Sequence, residues 1–329
     1  MRQPTLAVAE ATVPAYHFST AEKIRMFFPC LRQRLKPRRH LIAGPFAGEF
    51  GLELMQWQGY VRARRAHYEQ AHVITYPGRD YLYENCVVHY HDIRLEQAGY
   101  GYGLMSPSEA KNMAQAKAAE LGLEDYDIFS TTLLCTQYHK RLCWRQDFRV
   151  FEEPPLADRI YDIAFHFRAV RKVGPDNVKN CPPARCDELA ACCRALGLSL
   201  CCIGHPDYSY CAKGAEDFRS VDLRRTVAGI ASARAVAGEI SGPMHLANVC
   251  GKATIVWAND QWRIENSLRW NPFRVPIYCA ANDTYQPEPQ RVCEAIRKAL
   301  EDLEKRTECF SKPCYTLPAQ RIACNLLGA

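Results

Sequence analysis

The chain has 329 residues and a net charge of +6, and 48% of its residues are hydrophobic. This composition excludes a disordered or fibrous protein, and so small a positive surplus does not indicate nucleic-acid binding. The length predicts two domains of about 150 residues each. The charge suits an anionic small substrate or loose contact with an acidic membrane surface.

The 17 cysteines favour a reduced protein of the cytoplasm. Disulfide scaffolds are usually short and follow a signal peptide, and we expect neither property here. The sequence has no Cys-x-x-Cys pair, which argues against a zinc ribbon. Cysteines such as Cys192 and Cys202 lie in apolar runs, so we interpret them as small buried hydrophobes. A metal-binding or redox role is the alternative. No apolar run reaches the roughly 18 residues of a membrane span.

Residues 1–39 are predicted to be an extension that ends in a basic stretch, formed by Arg32, Arg34, Lys36, Arg38 and Arg39. Near it lie the apolar residues Met26, Phe27 and Phe28. The stretch is either a solvated lead-in or a peripheral contact with anionic lipid headgroups. In the second case the protein would work at the inner face of a membrane.

Residues 40–153 are predicted to form a first α/β domain. Its predicted elements are a strand at 40–43, a glycine-rich turn at 44–51, a helix at 52–65, a strand at 71–76, a helix at 106–121 and a strand at 126–130. Pro107 suits a helix start and Gly122 suits a helix end. Alternation of strands and helices is typical of a parallel sheet.

Residues 154–275 are predicted to form a second domain of the same kind, after a linker at 152–155. The predicted elements are strands at 161–167, 198–203, 235–238 and 253–257 and helices at 182–196, 222–234 and 243–250. Asp222 is expected to cap its helix. Residues 276–329 are a C-terminal segment with a closing helix at 289–306. Doubly wound sheets bind ligands beyond the carboxyl ends of their strands.

The turn after the strand at 235–238 is the strongest candidate site. Its predicted ligand contacts are Ser241, Gly242, Pro243, Met244 and His245. Glycine lets a phosphate approach the backbone, and proline fits the first helical position because no N–H is needed there. The start of the helix would then attract a pyrophosphate. An ordinary strand-to-helix turn would use the same residues.

The run Ser-Gly-Pro-Met-His-Leu-Ala at 241–247 resembles the donor-site signature of GT-B glycosyltransferases, most nearly that of the heptosyltransferase-like group. The segment 165–168 with Arg171 to Gly174 is similar, more weakly, to the motif of the α1,6 and nodulation fucosyltransferases. Together the two resemblances span residues 160–258. They imply an α/β fold of two Rossmann-like domains with a cleft between them, in which 40–153 faces the acceptor and 154–275 binds the donor. One group implies an ADP-linked sugar and the other a GDP-linked sugar.

Further donor contacts are predicted around the strand ends. Arg168 follows a strand and can clamp diphosphate oxygens with its guanidinium fork, with a surface ion pair as the alternative. Lys172 is a weaker candidate of the same kind. Glu239 precedes the turn and is suited to accept hydrogen bonds from sugar or ribose hydroxyls, unless it is a solvated carboxylate. His166 and His245 are equally well explained as packed histidines.

Glu49, in the glycine-rich turn, is the predicted catalytic base. An inverting transfer needs a base that removes the proton of the acceptor hydroxyl, and several inverting GT-B families have an acidic residue in this loop. Glu53 is a weaker candidate, and Glu49 serves equally well as a helix cap. Asp125 and Asp127 form an Asp-x-Asp run, but it opens a strand and is interpreted as solvated turn residues.

The sequence therefore predicts a metal-independent, inverting glycosyltransferase of the hexosyl or heptosyl class, with no cofactor. Its partners would be a nucleotide-sugar donor and a glycan or glycoconjugate acceptor, and no nucleic acid. Two alternatives share the fold: a sugar-nucleotide epimerase, and a binding protein without catalysis. A cysteine-rich zinc module is the third.

Overall fold

The computed structural model describes residues 31–33, 35–93, 107–130, 146–158, 160–169 and 178–310. The chain forms two compact units. The first comprises Met1–Glu49, Arg64–Tyr76 and Cys86–Trp144, and the second comprises Phe50–Ala63, Pro77–Asn85 and Arg145–Ala329. Three pieces of the predicted first domain, residues 50–63, 77–85 and 145–153, thus group with the second unit. The donor and acceptor roles assigned to the domains stay predictions.

The first unit contains a four-stranded parallel sheet with the order β3-β2-β1-β4. Its strands are β1 His40–Ala43, β2 Gln70–Thr75, β3 Val87–Tyr90 and β4 Tyr126–Phe129. Helix α2, Pro107–Glu120, packs Ala114 and Ala118 against Ile42 and Ile74 of one sheet face. All the predicted elements of this unit are present; β3 was not predicted. Gly122 follows α2 with a φ of 64°, a conformation that glycine adopts without strain.

Asp127 has a structural role in the first unit. Its side chain forms an ion pair with Arg32 and accepts hydrogen bonds from the Tyr68 hydroxyl (3.1 Å) and the Arg38 amide (3.1 Å). The carboxylate is buried, so its interpretation as a solvated turn residue was wrong; Asp125 is more exposed and pairs with Arg38. The Asp-x-Asp run does open a strand, as predicted.

The basic stretch is partly neutralised by these contacts, and Arg39 pairs with Glu69 as well. Residues 26–28 and Arg34 lie outside the described residues. Across the residues that the structure covers, no helix combines the length and apolar character that a membrane crossing requires.

The second unit contains a seven-stranded sheet in which β11, β10, β9, β5, β6 and β8 are neighbours in that order and run parallel. Its strands are β5 Tyr161–Arg168, β6 Leu200–Cys202, β7 Ser209–Tyr210, β8 Glu216–Asp217, β9 Ala233–Glu239, β10 Ala253–Trp257 and β11 Ile277–Ala281. The short β7 pairs antiparallel with the end of β5. Because the main strands are parallel, their carboxyl ends meet at one edge.

Several helices belong to the second unit. They are α1 over residues 50–65, α3 Pro183–Ala195, α4 Leu223–Ala231, α5 Gly242–Val249, α6 Gln261–Arg269 and α7 Pro289–Phe310. Helix α1 belongs to this unit with all but its last two residues. The middle of α1, Glu53–Trp57, is a π-helical turn. Asp222 caps α4 as predicted, because its side chain accepts a hydrogen bond from the Arg224 amide. The strand β9 begins at residue 233, so α4 ends earlier than predicted.

The main core of the second unit lies between the sheet and the helices α3 and α7. Phe165, Phe167 and Trp257 from the strands meet Leu189 and Ile296 from the helices there. Several cysteines belong to this core, namely Cys181, Cys186, Cys193, Cys202 and Cys293. Their burial matches the interpretation of these cysteines as small hydrophobes, and they are free thiols.

Candidate functional site

The candidate site lies where the neighbouring strands β5 and β9 end. The two strands pair in parallel, with His166 opposite Gly238, so that Arg168 and Glu239 finish them at the same edge of the sheet. Helix α5 begins three residues after Glu239. Ligands of doubly wound sheets bind at this kind of edge.

Glu239 is fully buried, and neither of its carboxylate oxygens has a hydrogen-bond partner among the described residues. Its Oε1 lies 3.3 Å from Nδ1 of His166, a contact that does not have the alignment of a hydrogen bond. A buried polar group without hydrogen bonds costs about 1–3 kcal/mol. Burial excludes the solvated loop carboxylate that was the alternative for Glu239, and the role as a ligand contact stays a prediction.

His166 lies between Glu239 and the turn before α5. Its Nδ1 is also 3.3 Å from the Ser241 hydroxyl, with which it forms a hydrogen bond. Glycine makes room for the ring, because a Cβ at Gly204 would lie 2.7 Å from its Cδ2. The side chain is buried, which agrees with the packed histidine of the sequence interpretation. It is suited to hold both neighbours in position.

Arg168 is half-buried, and its Nε is a buried donor with no hydrogen-bond partner in the part of the chain that the structure describes. The alternative role for Arg168 was a surface ion pair, but none of the described carboxylates pairs with this guanidinium. Guanidinium N–H groups match the oxygens of a phosphate in geometry and charge. Lys172, the second predicted cation, lies outside the described residues.

The turn before α5 lies where the sequence predicted it, but the helix begins at Gly242, one residue before the proline that was expected to open it, and the expected cap by the Ser241 hydroxyl is wrong. Ser241 is extended, with φ −157° and ψ 175°, and its hydroxyl does not cap the helix. The amides of Met244 and His245 donate to the Ser241 carbonyl, and Pro243 has no N–H. Gly242 is therefore the helical residue best placed to offer an amide to a phosphate.

The beginning of α1 packs against this turn within the second unit. A Cβ at Gly242 would lie 2.6 Å from Cδ1 of Phe50, and a Cβ at Gly51 would lie 3.1 Å from Cδ2 of His245. The guanidinium of Arg79 lies 4.0 Å above the Phe50 ring. Close packing of two helix starts thus requires glycine at both contact points.

His245 is part of this packing. Burial lowers its pKa to about 4, so the imidazole is neutral near pH 7. The ring faces Trp270 at a centroid distance of 5.7 Å, and its Nδ1 has no described partner. A neutral ring can donate one hydrogen bond but brings no positive charge to a phosphate.

Glu53, the second candidate base, has a structural role. It is fully buried on the π-helical turn of α1, accepts a hydrogen bond from Arg79 Nη1 (2.8 Å) and another from the Tyr83 hydroxyl (2.5 Å). Glu49, in contrast, has an exposed side chain. It directly precedes α1 and belongs to the first unit, at the end of the segment Met1–Glu49. An exposed carboxylate is accessible to a bound hydroxyl, whose proton it can accept.

Tyr285 was missed by the sequence analysis. Its side chain is buried, its hydroxyl has no partner among the described residues, and burial raises its pKa to about 12. Residue 285 follows β11, a strand that was not predicted, so nothing in the sequence placed it near the site. Within the described residues, no cluster of three or more His, Cys, Asp or Glu side chains could hold a metal ion.

Neither a protein-family model nor a curated protein matches the sequence. Among solved structures, the chain is similar to a glycosyl transferase family 9 protein from Veillonella parvula, with a TM-score of 0.53, 11% identity, and coverage of 82% of this chain and 99% of that chain. It is also similar to the ADP-heptose lipopolysaccharide heptosyltransferase II of E. coli, with a TM-score of 0.49, 14% identity, and coverage of 81% and 99%. The first likeness confirms the predicted α/β fold class, two Rossmann-like domains of the GT-B type, and the resemblance to GT-B glycosyltransferases at the level of the fold.

Proposed function

We propose that this chain is a glycosyltransferase of the hexosyl or heptosyl class. It transfers a sugar from a nucleotide-diphosphate sugar, ADP- or GDP-linked, to a hydroxyl of a glycan or glycoconjugate acceptor. The observation that carries the proposal is the pair of unsatisfied, oppositely charged groups at the ends of β5 and β9, the Nε of Arg168 and the carboxylate of Glu239. They lie beside a glycine-proline helix start in a GT-B fold.

The two charges suit the two halves of such a donor. Arg168 and the Gly242 amide would bind the diphosphate, with the positive end of the α5 dipole behind it. Glu239 would accept hydrogen bonds from hydroxyls, and His166 would hold both Glu239 and Ser241 in place. The shape of the turn in this proposal is set by Pro243, Met244 and His245. Lys172 provides a further positive charge for the diphosphate.

The chemistry follows from the charge that develops on the leaving group. As the glycosidic bond breaks, negative charge accumulates on the diphosphate, and preorganised donors stabilise it more in the transition state than in the ground state. The acceptor hydroxyl attacks the anomeric carbon from the opposite side and passes its proton to Glu49, so that the configuration inverts. No metal is assigned to this proposed reaction.

Turnover by Glu49→Gln tests the catalytic part of the proposal. We expect kcat for release of nucleoside diphosphate to fall about 10²- to 10⁴-fold, the usual contribution of a general base, while donor affinity stays at the wild-type value. Glu124→Gln, which changes an exposed carboxylate of the same unit, is the matched control and should keep full activity. Equal turnover by wild type and Glu49→Gln would refute this assignment.

Incubation of the wild-type protein with the nucleotide sugar also separates the two alternatives of this fold. An epimerase would change the configuration of the donor sugar without any acceptor, which NMR of the recovered nucleotide sugar detects. A binding protein would bind donor and release no product under any condition.

We also propose a cytoplasmic location with a peripheral membrane contact through Lys36 and its basic neighbours, which co-sedimentation with anionic vesicles tests.

A further inference from the structure

The segment after β11 returns to the edge of the sheet where Glu239 lies. In register, Glu239 of β9 stands opposite Trp257 of β10, and Trp257 stands opposite Ala281 of β11. The chain then turns back, because the Ala258 amide donates to the Ala281 carbonyl and the Thr284 amide donates to the Ala258 carbonyl, each at 3.0 Å. These bonds fix the backbone next to Tyr285 at the carboxyl edge.

Tyr285 is unsatisfied at this edge in the same way as Glu239. The side chain is 5% exposed, and its hydroxyl forms no hydrogen bond with any described residue. A buried hydroxyl without a partner is unfavourable, and a bound ligand atom that pairs with it would remove that cost. The unpaired atoms are complementary in kind: carboxyl oxygens accept hydrogen bonds, whereas a phenol can donate one.

The electrostatic surroundings keep this phenol protonated. Burial raises the pKa of Tyr285 most, and Asp260 and Glu239 raise it further, whereas Arg263 and Arg168 lower it. Two of these groups, Glu239 and Arg168, are the proposed donor contacts at the same edge of the sheet. A neutral hydroxyl contributes direction and no charge, which suits hydroxyl recognition better than phosphate binding.

We propose that Tyr285 is a further donor-binding residue, which together with Glu239 recognises ring hydroxyls of the bound nucleotide sugar. The inference rests on the proposed function and extends it. A ligand hydroxyl would donate to the carboxylate of Glu239, and a neighbouring oxygen would accept from the phenol of Tyr285. Both the transferred sugar and the ribose carry such hydroxyls.

Calorimetric titration of Tyr285→Phe tests this role. The probes are ADP-glucose with ADP and 2′-deoxy-ADP, and GDP-mannose with GDP and 2′-deoxy-GDP. We expect Kd for the nucleotide sugar to rise about 3- to 10-fold, the range of one hydrogen bond between neutral groups. If only the sugar nucleotide is weakened, Tyr285 contacts the transferred sugar; if the diphosphate is weakened and its deoxy analogue is not, it contacts the ribose. Each of these results supports the inference.

Tyr278→Phe is the matched control, because it removes a hydroxyl from β11 that bonds to Asp302. It should leave every Kd unchanged. Thermal unfolding without ligand provides a second measurement: Tyr285→Phe should be at least as stable as wild type, since the hydroxyl has no described partner to lose. A structural hydroxyl would instead lower the unfolding temperature.

Two results would overturn the inference, and they differ from failure of the proposed function. Wild-type Kd values for Tyr285→Phe with all probes would remove Tyr285 from the site and leave the donor site intact. A lower unfolding temperature of the free variant with unchanged affinities would assign the residue to the core. Failure of wild type to bind any of the six nucleotides would refute the proposed function itself and this inference with it.

Discussion

Substitution of Gly242 by alanine probes the contact between the starts of α1 and α5. A Cβ there would lie 2.6 Å from Cδ1 of Phe50, well inside van der Waals contact, so the ring or one helix must move. The backbone imposes no penalty of its own, because Gly242 is the first residue of a regular helix. Overpacking of this kind costs about 1–3 kcal/mol. We therefore expect Gly242→Ala to lower the free energy of unfolding by that amount.

A double-mutant cycle with Phe50→Ala isolates the steric term. Removing the ring eliminates the clash, so Gly242→Ala should cost nothing measurable in the Phe50→Ala background, and the coupling should be about 1 kcal/mol or more. The stacking of Arg79 on Phe50 is lost in both Phe50→Ala variants and cancels. Urea unfolding followed by fluorescence, with m-values checked for constancy, measures all four proteins. Additive effects of the two substitutions would refute the described packing of α1 on α5.

Three further predictions concern stability and reactivity. Glu53→Gln should lower the free energy of unfolding in urea by about 3 kcal/mol or more, because it leaves the partner arginine of a buried ion pair without its charge. Burial and two neighbouring histidines lower the pKa of His72 from 6.5 to about 4, so the unfolded chain binds the proton at a higher pH than the folded protein does. The free energy of unfolding should therefore decline as the pH falls from 6.5 towards 4, and the decline should be smaller in His72→Leu. Cys211 should be alkylated by iodoacetamide faster at pH 7.5 than Cys192. A hydrogen bond from a neighbouring thiol lowers the pKa of Cys211, whereas the pKa of Cys192 is raised to about 11. Peptide mass spectrometry that finds the reverse order of alkylation would contradict these environments.

The strand and helix around the phosphate turn were predictable from local sequence. The run of small apolar residues before Glu239 indicated a buried strand, and Ser241, Gly242 and Pro243 carry the signals of a turn and a helix start. The structure has β9, α5 and β10 at these positions. Local propensity and the period of the hydrophobic residues agree here, which is why the prediction succeeded.

The contacts that the sequence did not reveal are those between distant segments. Glu53 bonds to Arg79 and Tyr83, which lie 26 and 30 residues later, and Asp127 bonds to residues 95 and 59 positions earlier. Such pairs leave no periodic signal. Tyr285 was missed for the same reason, since its place near Glu239 depends on the pairing of β9, β10 and β11.

Calorimetric titration of the wild-type protein and of Arg168→Ala with ADP, GDP, UDP and CMP tests the donor site most directly. We expect wild type to bind ADP or GDP and Arg168→Ala to lose affinity by about 10- to 150-fold, the value of a hydrogen bond to a charged group. Arg297→Ala, which changes an exposed arginine of α7, should bind like wild type. Wild type that binds none of the four nucleotides, or Arg168→Ala that binds as tightly as wild type, would contradict the assignment of this edge as a donor site.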